Sequence, residues 1–452
     1  MTAFSNWIDS LSGWVWGLYT VAILMGVGLF CAILSRGVAF RGFLHAIRLV
    51  SGRFSHESDR EAEGSITYFQ GLMNAMASTV GLGNISGVAL AIVSGGPGAV
   101  FWMWIAALIG MNTRFFETTM AMAFRGHDYH GQAQGGTMYV LQSQAPSLLK
   151  WTAVLFALCG LIGTLGAFQA NQITLLLHDR TGLPQWILGI TLTTLVIIVL
   201  SGGLPALVRV TSSLVPTMCL LYVGAACFIL VRNASAIPEV FSQIFHQAFS
   251  LQSAGGGVSG AVLANVITQG VRRGTFSNEA GLGTAPLAHA DVKTAEPVAE
   301  GLVAMLGPFF DTIVICTMTA LVILTSLPPE NQDVSGIILT MNAFSAGIPS
   351  AGSVILTLVA FLFAFTTIIG VANYNRKCWN FLFKGRRFLQ EKSFILYFSA
   401  TVFLASCVEM KIVIDIIDIA YGLMIFPNLL AVLMTAPEMS RLLGSYFRQY
   451  IK

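Results

Sequence analysis

The residues of this 452-residue chain whose types and spacing could do chemistry stand in two glycine-rich stretches that mix polar with apolar side chains. Residues 72–87, LMNAMASTVGLGNISG, carry Gly81, Gly83 and Gly87 with Asn74, Ser78, Thr79, Asn84 and Ser86. Residues 255–285, GGGVSGAVLANVITQGVRRGTFSNEAGLGTA, are richer still in glycine and add Asn265, Thr268, Gln269, Ser277, Asn278 and Glu279. Backbone that gives up its helical hydrogen bonds inside a membrane is tolerated only where it lines a cavity or is buried in protein. There its freed N–H groups and half-helix N-termini bind a carboxylate, and its freed carbonyls bind a cation. Close packing is the commoner use of glycine in membrane helices, and the spacing of Gly83 and Gly87 fits it. Packing does not account for polar side chains in the same turns. Bond-breaking chemistry has no comparable constellation: the chain lacks GxSxG, HExxH, HxxxH and CxxC arrangements. The expectation is a binding protein rather than an enzyme, with no transition-metal site and with buried cysteines acting as small hydrophobes.

The elements that must position these stretches follow from composition. Hydrophobic residues make up 55% and charged residues 10%, against roughly 25% charged in a soluble domain. So few charges cannot cover a water-facing surface of this length, whereas about eleven helices of ~20 residues would use ~220 positions in a bilayer. Apolar runs predict helices near 14–35, 67–94, 98–124, 148–178, 184–201, 206–232, 257–285, 296–326, 350–383, 393–409 and 411–436, an all-α integral membrane fold. No Lys or Arg precedes the first run, which reads as a retained helix rather than a signal peptide. With the N-terminus outside, 20 of the 24 Lys and Arg residues fall on inside segments. Only Arg180, Arg232 and Lys411 fall outside, and Arg114 lies within a helix. That asymmetry is what the positive-inside rule requires of eleven crossings with a cytoplasmic C-terminus. The most basic inside stretch is Arg376, Lys377, Lys384, Arg386, Arg387 and Lys392. A net charge of +3 is too balanced for a nucleic-acid partner.

Setting the first helix aside leaves ten, which divide into a repeat over about 65–232 and a second over about 255–436 within one domain spanning 1–452. Five helices per half invert the second half, and each half opens on one of the glycine-interrupted stretches. Paired interruptions at corresponding places in inverted halves are the best sequence pointer to a transporter binding site.

The run NAMASTVGLGNISGVALAIVSGGPGAVFWMWIAALIGMNTRFFE at 74–117 resembles the alanine or glycine:cation symporter family, also called sodium:alanine symporters. So do AFQAN at 167–171, GVRRGTFSNEAGLGTAPLAHA at 270–290 and FDTIVICTMTALVIL at 310–324. The similarity covers nearly the whole chain and implies a LeuT-type five-plus-five inverted repeat with one extra N-terminal helix. It implies an amino-acid substrate and sodium as coupling ion, with no other cofactor and no obligate protein partner, in the inner membrane of a bacterium or archaeon. Carried over at matching positions, it assigns the substrate site to Asn74, Gly81, Gly83, Asn84, Gln169, Asn171, Phe276 and Val371. It assigns cation binding to carbonyls near Thr79 and Val80 and to the hydroxyls of Thr366 and Thr367. An oxygen-only set of this kind suits a hard cation, by extension from calcium and magnesium. Back-bonding to helix carbonyls is the alternative use of the threonine pair.

The sequence departs from the family pattern after FTTIIG, where Val371, Ala372, Asn373, Tyr374, Asn375 and Arg376 replace tryptophan, serine, two tyrosines, glycine and an acidic residue. Leu82 and Asn74 stand where threonine is frequent, and Thr137 where proline is usual. Losing the tryptophan that closes the family's pocket leaves room for more than a methyl side chain. Among charges inside the membrane, Arg114 and Glu117 at i, i+3 are expected to pair, Asp311 to face the interior, Asp415 and Asp418 to be solvated near the outer end of the last helix, and Glu279 to anchor the second break. Residues 41–63 read as a solvated cytoplasmic amphipathic segment. The functional expectation is sodium-coupled uptake of a small or medium neutral amino acid, with proton coupling as the alternative and a channel as the more distant one.

Overall fold

A computed structural model describes residues 2–127, 131, 133–249, 259–327, 336–384, 392–408 and 410–451. The glycines at 255–257 and the basic residues Arg386 and Arg387 lie outside the described residues. The protein is almost entirely helical, with one two-stranded ribbon pairing Gly126–His127 with Ala133–Gln134. Among the described residues, seven helices are long and apolar enough to cross a membrane: Ser10–Leu34, Gly98–Ala123, Ser147–Thr181, Gly203–Arg232, Pro297–Ser326, Gly352–Leu382 and Asp415–Tyr450. An eighth span forms if Tyr68–Thr79 and Gly83–Gly95, which meet at 52°, are taken together. Helices Gln185–Ser201 and Lys392–Cys407 are apolar but shorter, and Ser259–Asn278 is a further helix. Among the described residues, length and apolarity alone thus identify seven or eight crossings where the sequence led us to expect eleven. Exposed Ile198, Leu220, Val231 and Leu396 give the outer surface the apolar character that lipid requires.

Several predicted segments are subdivided. The predicted helix at 148–178 is broken at Thr164–Gly166, where Gly166 takes φ +66°, a conformation that favours glycine, and an added Cβ would stand 3.2 Å from Ile368. The segment at 296–326 contains a π-helical stretch, Phe309–Cys316, directly after Pro308. Helices also arise in predicted loops, among them Thr137–Gln144, Ile237–Phe249 and Ile337–Gly347. The last helix runs through Tyr450 rather than stopping at 436.

Both glycine-rich stretches are broken helices. The first starts with a capping box, Thr67 bonding the Gln70 N–H while Gln70 bonds back to Thr67. It stops at Thr79, Val80 is extended, and one π turn, Gly83–Gly87, restarts it. The second ends at Asn278 and resumes at Ala285–His289. Between these helices Glu279, Gly281 and Gly283 all have positive φ, at 56°, 90° and 76°. Glutamate is strained in that region, so its neighbours must hold it there. The helix Ser259–Asn278 packs closely on Gly98–Ala123, with Gly274 against Met103 and Gly110 against Ala280, the small-residue contact common in membrane bundles.

Candidate functional site

A small pocket lies where the two breaks face each other. Its walls are Ser78, Thr79 and Gly83 from the first, Phe276 and Glu279 from the second, and Gly163, Gly166, Phe168 and Gln169 from the third interrupted helix. Val371, Ile417 and Tyr421 complete it. Phe168 and Phe276 meet edge to face at 6.0 Å between ring centroids, and Phe276 and Tyr421 at 5.5 Å. The pocket therefore has an aromatic wall on one side and freed backbone on the other.

Five residues assigned from sequence, Thr79, Gly83, Gln169, Phe276 and Val371, line this space together. The others stand elsewhere. Asn84 is fully buried; its Oδ1 accepts from the Gly81 N–H at 2.8 Å, and its Nδ2 donates to the Asp311 carboxylate at 2.7 Å. The Gly81 N–H assigned to a substrate carboxylate is thus already taken by Asn84. Asn171 donates to the Ala405 and Val408 carbonyls, satisfying the end of helix Lys392–Cys407. Asn74 is fully buried, and neither of its amide atoms has a partner among the described residues. Thr366 back-bonds to the Leu362 and Phe363 carbonyls and touches the Met218 sulfur, and Thr79 likewise donates to the Ala75 carbonyl at 3.3 Å. Val80 is the extended residue that ends the first half-helix. Thr367 differs: its hydroxyl is buried without a partner among the described residues and abuts Gly81, where any Cβ would collide with it.

Asp311 joins the two breaks. One carboxylate oxygen takes the Asn84 amide, and the other takes the Ser277 hydroxyl at 2.7 Å and the Thr312 hydroxyl at 2.9 Å. The π turn around it widens the helix and aims this short side chain between the two half-helices. Arg114 and Glu117, expected to pair, form no ion pair with each other among the described residues. Arg114 donates to the Asn278 carbonyl at 2.9 Å, and Glu117 accepts from the N–H groups of Gly281 at 3.0 Å and Gly283 at 3.2 Å. Each charge meets the pole of a helix terminus that suits it: the cation the freed carbonyls, the anion the freed N–H groups. Asn428 adds a bond to the same Glu117 oxygen, and Thr137 donates to Asn428 at 2.8 Å. Glu279 accepts from the Thr284 hydroxyl at 2.6 Å, bridging its own break.

Further charges stand in surroundings that the sequence did not reveal. Asp418 is buried in an ion pair with Arg272 of helix Ser259–Asn278 rather than solvated. Asp415 is buried too. Lys377 is likewise buried, paired with Asp291 at 2.7 Å. The segment at 41–63 is not simply solvated: His45 and His56 are buried against the Tyr446 hydroxyl at 2.8 and 3.0 Å. Sequence reasoning did not assign Ser78, Gly163, Gly166, Phe168, Glu279, Ile417 and Tyr421 as pocket walls. Ile417 and Tyr421 lie i, i+4 on one helix face, but an apolar pair of that spacing is indistinguishable from core.

A membrane transporter built around paired broken helices, rather than an enzyme, is the class this fold and pocket define. Among solved structures, MhsT in complex with L-phenylalanine aligns with TM-score 0.59 at 15% identity, over 82% of this chain and 89% of that one. A Na+-coupled sialic acid symporter aligns with TM-score 0.51 at 13% identity, over 94% and 86%. The chain belongs to the sodium:alanine symporter family, whose model matches residues 1–452. Relatives include the sodium/alanine symporter AgcS of Methanococcus maripaludis, 37% identical over 95% of this chain and 94% of that one. The probable sodium/glutamine symporter GlnT of Bacillus subtilis is 32% identical over 96% and 89%.

Proposed function

We propose that the protein moves a neutral amino acid of small or medium size into the cell together with sodium, by alternating access to the pocket between the two breaks. The observation that carries this reading is the meeting of both broken helices, one aromatic wall and Gln169 around a single space that presents backbone polarity to a zwitterion. Family membership and the descriptions of AgcS as a sodium/alanine symporter and of GlnT as a probable sodium/glutamine symporter support sodium and an amino acid as the transported pair.

Val371 in the pocket wall favours a side chain larger than a methyl group, and the relative described as a probable sodium/glutamine symporter supports a substrate beyond the smallest amino acids. Sodium would lie between the carbonyls around Thr79 and Val80 and the hydroxyls of Thr366 and Thr367. Thr367 already turns an unpartnered hydroxyl toward Gly81. Thr366 would join by rotating about χ1, since threonine in a helix divides between a back-bonded rotamer and another. Ion binding would order the first break and so raise affinity for the amino acid.

Purified protein in liposomes should accumulate a labelled neutral amino acid only under an inward sodium gradient. Uptake that follows a proton gradient and ignores sodium would replace the coupling ion. Conductance without saturable uptake would replace the transporter reading with a channel.

A further inference from the structure

The N-terminal span Ser10–Leu34 precedes the two repeats, yet its outer part reaches into the contacts directly above the pocket. Arg272 and Asp418 form a buried ion pair, with side-chain exposures of 14% and 1%. Arg272 lies one turn before the pocket residue Phe276, and Asp418 directly follows Ile417 and lies three residues before Tyr421, both pocket walls. The pair therefore joins the two helices that carry the aromatic wall. The N-terminal span closes around it from the third side. The Ser12 hydroxyl accepts from Arg272 at 3.0 Å, the Trp16 indole N–H donates to the Asp418 carbonyl at 2.7 Å, and the Arg272 guanidinium stands 5.7 Å from the Trp16 ring centroid. Trp16 precedes Leu24, which packs against Gly281 of the second break, by eight residues, or about 12 Å along a helix. The cluster thus sits about two turns from the level of the break.

We propose that the N-terminal span is a strap across the outer entrance: Ser12 and Trp16 hold the Arg272–Asp418 pair shut over the pocket, and access from outside requires this three-helix clasp to part. The physical basis is the dependence of a buried ion pair on water. With water excluded, two opposite charges attract strongly, and separating them leaves each uncompensated. Once water enters, both are solvated and the attraction falls many-fold, so the pair has a closed dry state and an open wet one. Ser12 and Trp16 bias it toward the closed state by satisfying Arg272 and the Asp418 backbone from a helix outside the repeats. The N-terminal span is thereby a gating element and not a passive addition.

This inference rests on the alternating-access reading, and the test separates the two. Ile417→Cys, with the exposed Cys227 and Cys407 replaced by serine, puts a thiol in the pocket wall. Its rate of reaction with a membrane-impermeant thiol reagent added outside intact cells reports outer access. Adding Ser12→Ala and Trp16→Phe, which leave the ion pair in place, should raise that rate threefold or more, and Asp418→Asn should raise it further. Should Asp418→Asn not fold, the Ser12/Trp16 variant carries the test alone. Labelling of that variant at the parental rate would overturn the strap. Sodium and amino acid should together slow labelling of the parent; a parent indifferent to both would instead overturn the symport reading, while the comparison of variant with parent still judges the strap.

Discussion

At the scale of single residues, the site divides into groups that face the pocket and groups that fix the backbone around it. Val371 belongs to the first. Val371→Trp should narrow competition toward alanine and glycine in a panel of labelled amino acids, and an unchanged panel would remove Val371 from substrate selection. Asp311 belongs to the second, because its two oxygens hold Asn84 of one break and Ser277 of the other. Asp311→Asn replaces one acceptor oxygen with a donor that faces another donor. Hydrogen bonds to charged groups contribute about 1.5–3 kcal/mol each, so transport should fall about tenfold or more in proteoliposomes with the protein still folded. These roles were unequally legible in the sequence. Gly83, Gln169 and Phe276 could be assigned because motif and pocket coincide there. Asn84 and Asn171 stand outside the pocket lining and bond to protein groups, and an asparagine that faces a ligand has the same sequence signature as one that caps freed backbone.

At the scale of elements, the interrupted helices were readable from glycine and polar residues sharing the same turns, but what holds the interruptions was not. Arg114 and Glu117 have the spacing of a helical ion pair, yet the second break offers each a partner that an intact helix could not supply. Only the position of that break across from helix Gly98–Ala123 decides between the two outcomes, and sequence spacing carries no information about it. Glu117→Ala would leave the buried Gly281 and Gly283 N–H groups unpaired, at about 1–3 kcal/mol each, and would remove one of the two bonds made by the Asn428 amide. It should therefore destabilise the protein by on the order of 3 kcal/mol or more in thermal unfolding, while Glu117→Gln, which keeps one acceptor oxygen, should recover part of the loss. Gly283 has φ +76° and stands within 3 Å of Asn428 and Thr137 as measured from an added Cβ. Gly283→Ala should accordingly be as damaging as Glu117→Ala.

At the scale of the whole molecule, the start of the first broken helix and the segment that follows the second are tied through Asp59. Its carboxylate accepts from Tyr68, the first residue of the first broken helix, and from Thr294 and the Ala295 N–H beyond the second. Burial alone would raise its pKa, but hydrogen bonds from His56, Ala295, Tyr68 and Thr294 outweigh burial and hold it at about 2. A carboxyl depressed in the folded state stabilises it above the unfolded pKa of ~3.9 and loses that contribution as pH falls toward the folded value. The acid limb of the stability curve between about pH 4 and pH 2 should flatten in Asp59→Asn, measured by thermal unfolding in detergent. Coupling across the molecule must also be reciprocal, so sodium should tighten amino-acid binding by the factor by which the amino acid tightens sodium. Trp16 adds an optical consequence. Of the eight tryptophans, Trp7, Trp14, Trp151 and Trp186 are more than half exposed on the lipid-facing surface, whereas Trp16 is 2% exposed with its indole N–H bonded to the Asp418 carbonyl. In a variant with the half-buried Trp102, Trp104 and Trp379 replaced by phenylalanine, brominated lipid should quench the exposed set and spare Trp16, leaving an emission band whose wavelength reports, without any label, how wet the Arg272–Asp418 cluster is at each step of the transport cycle.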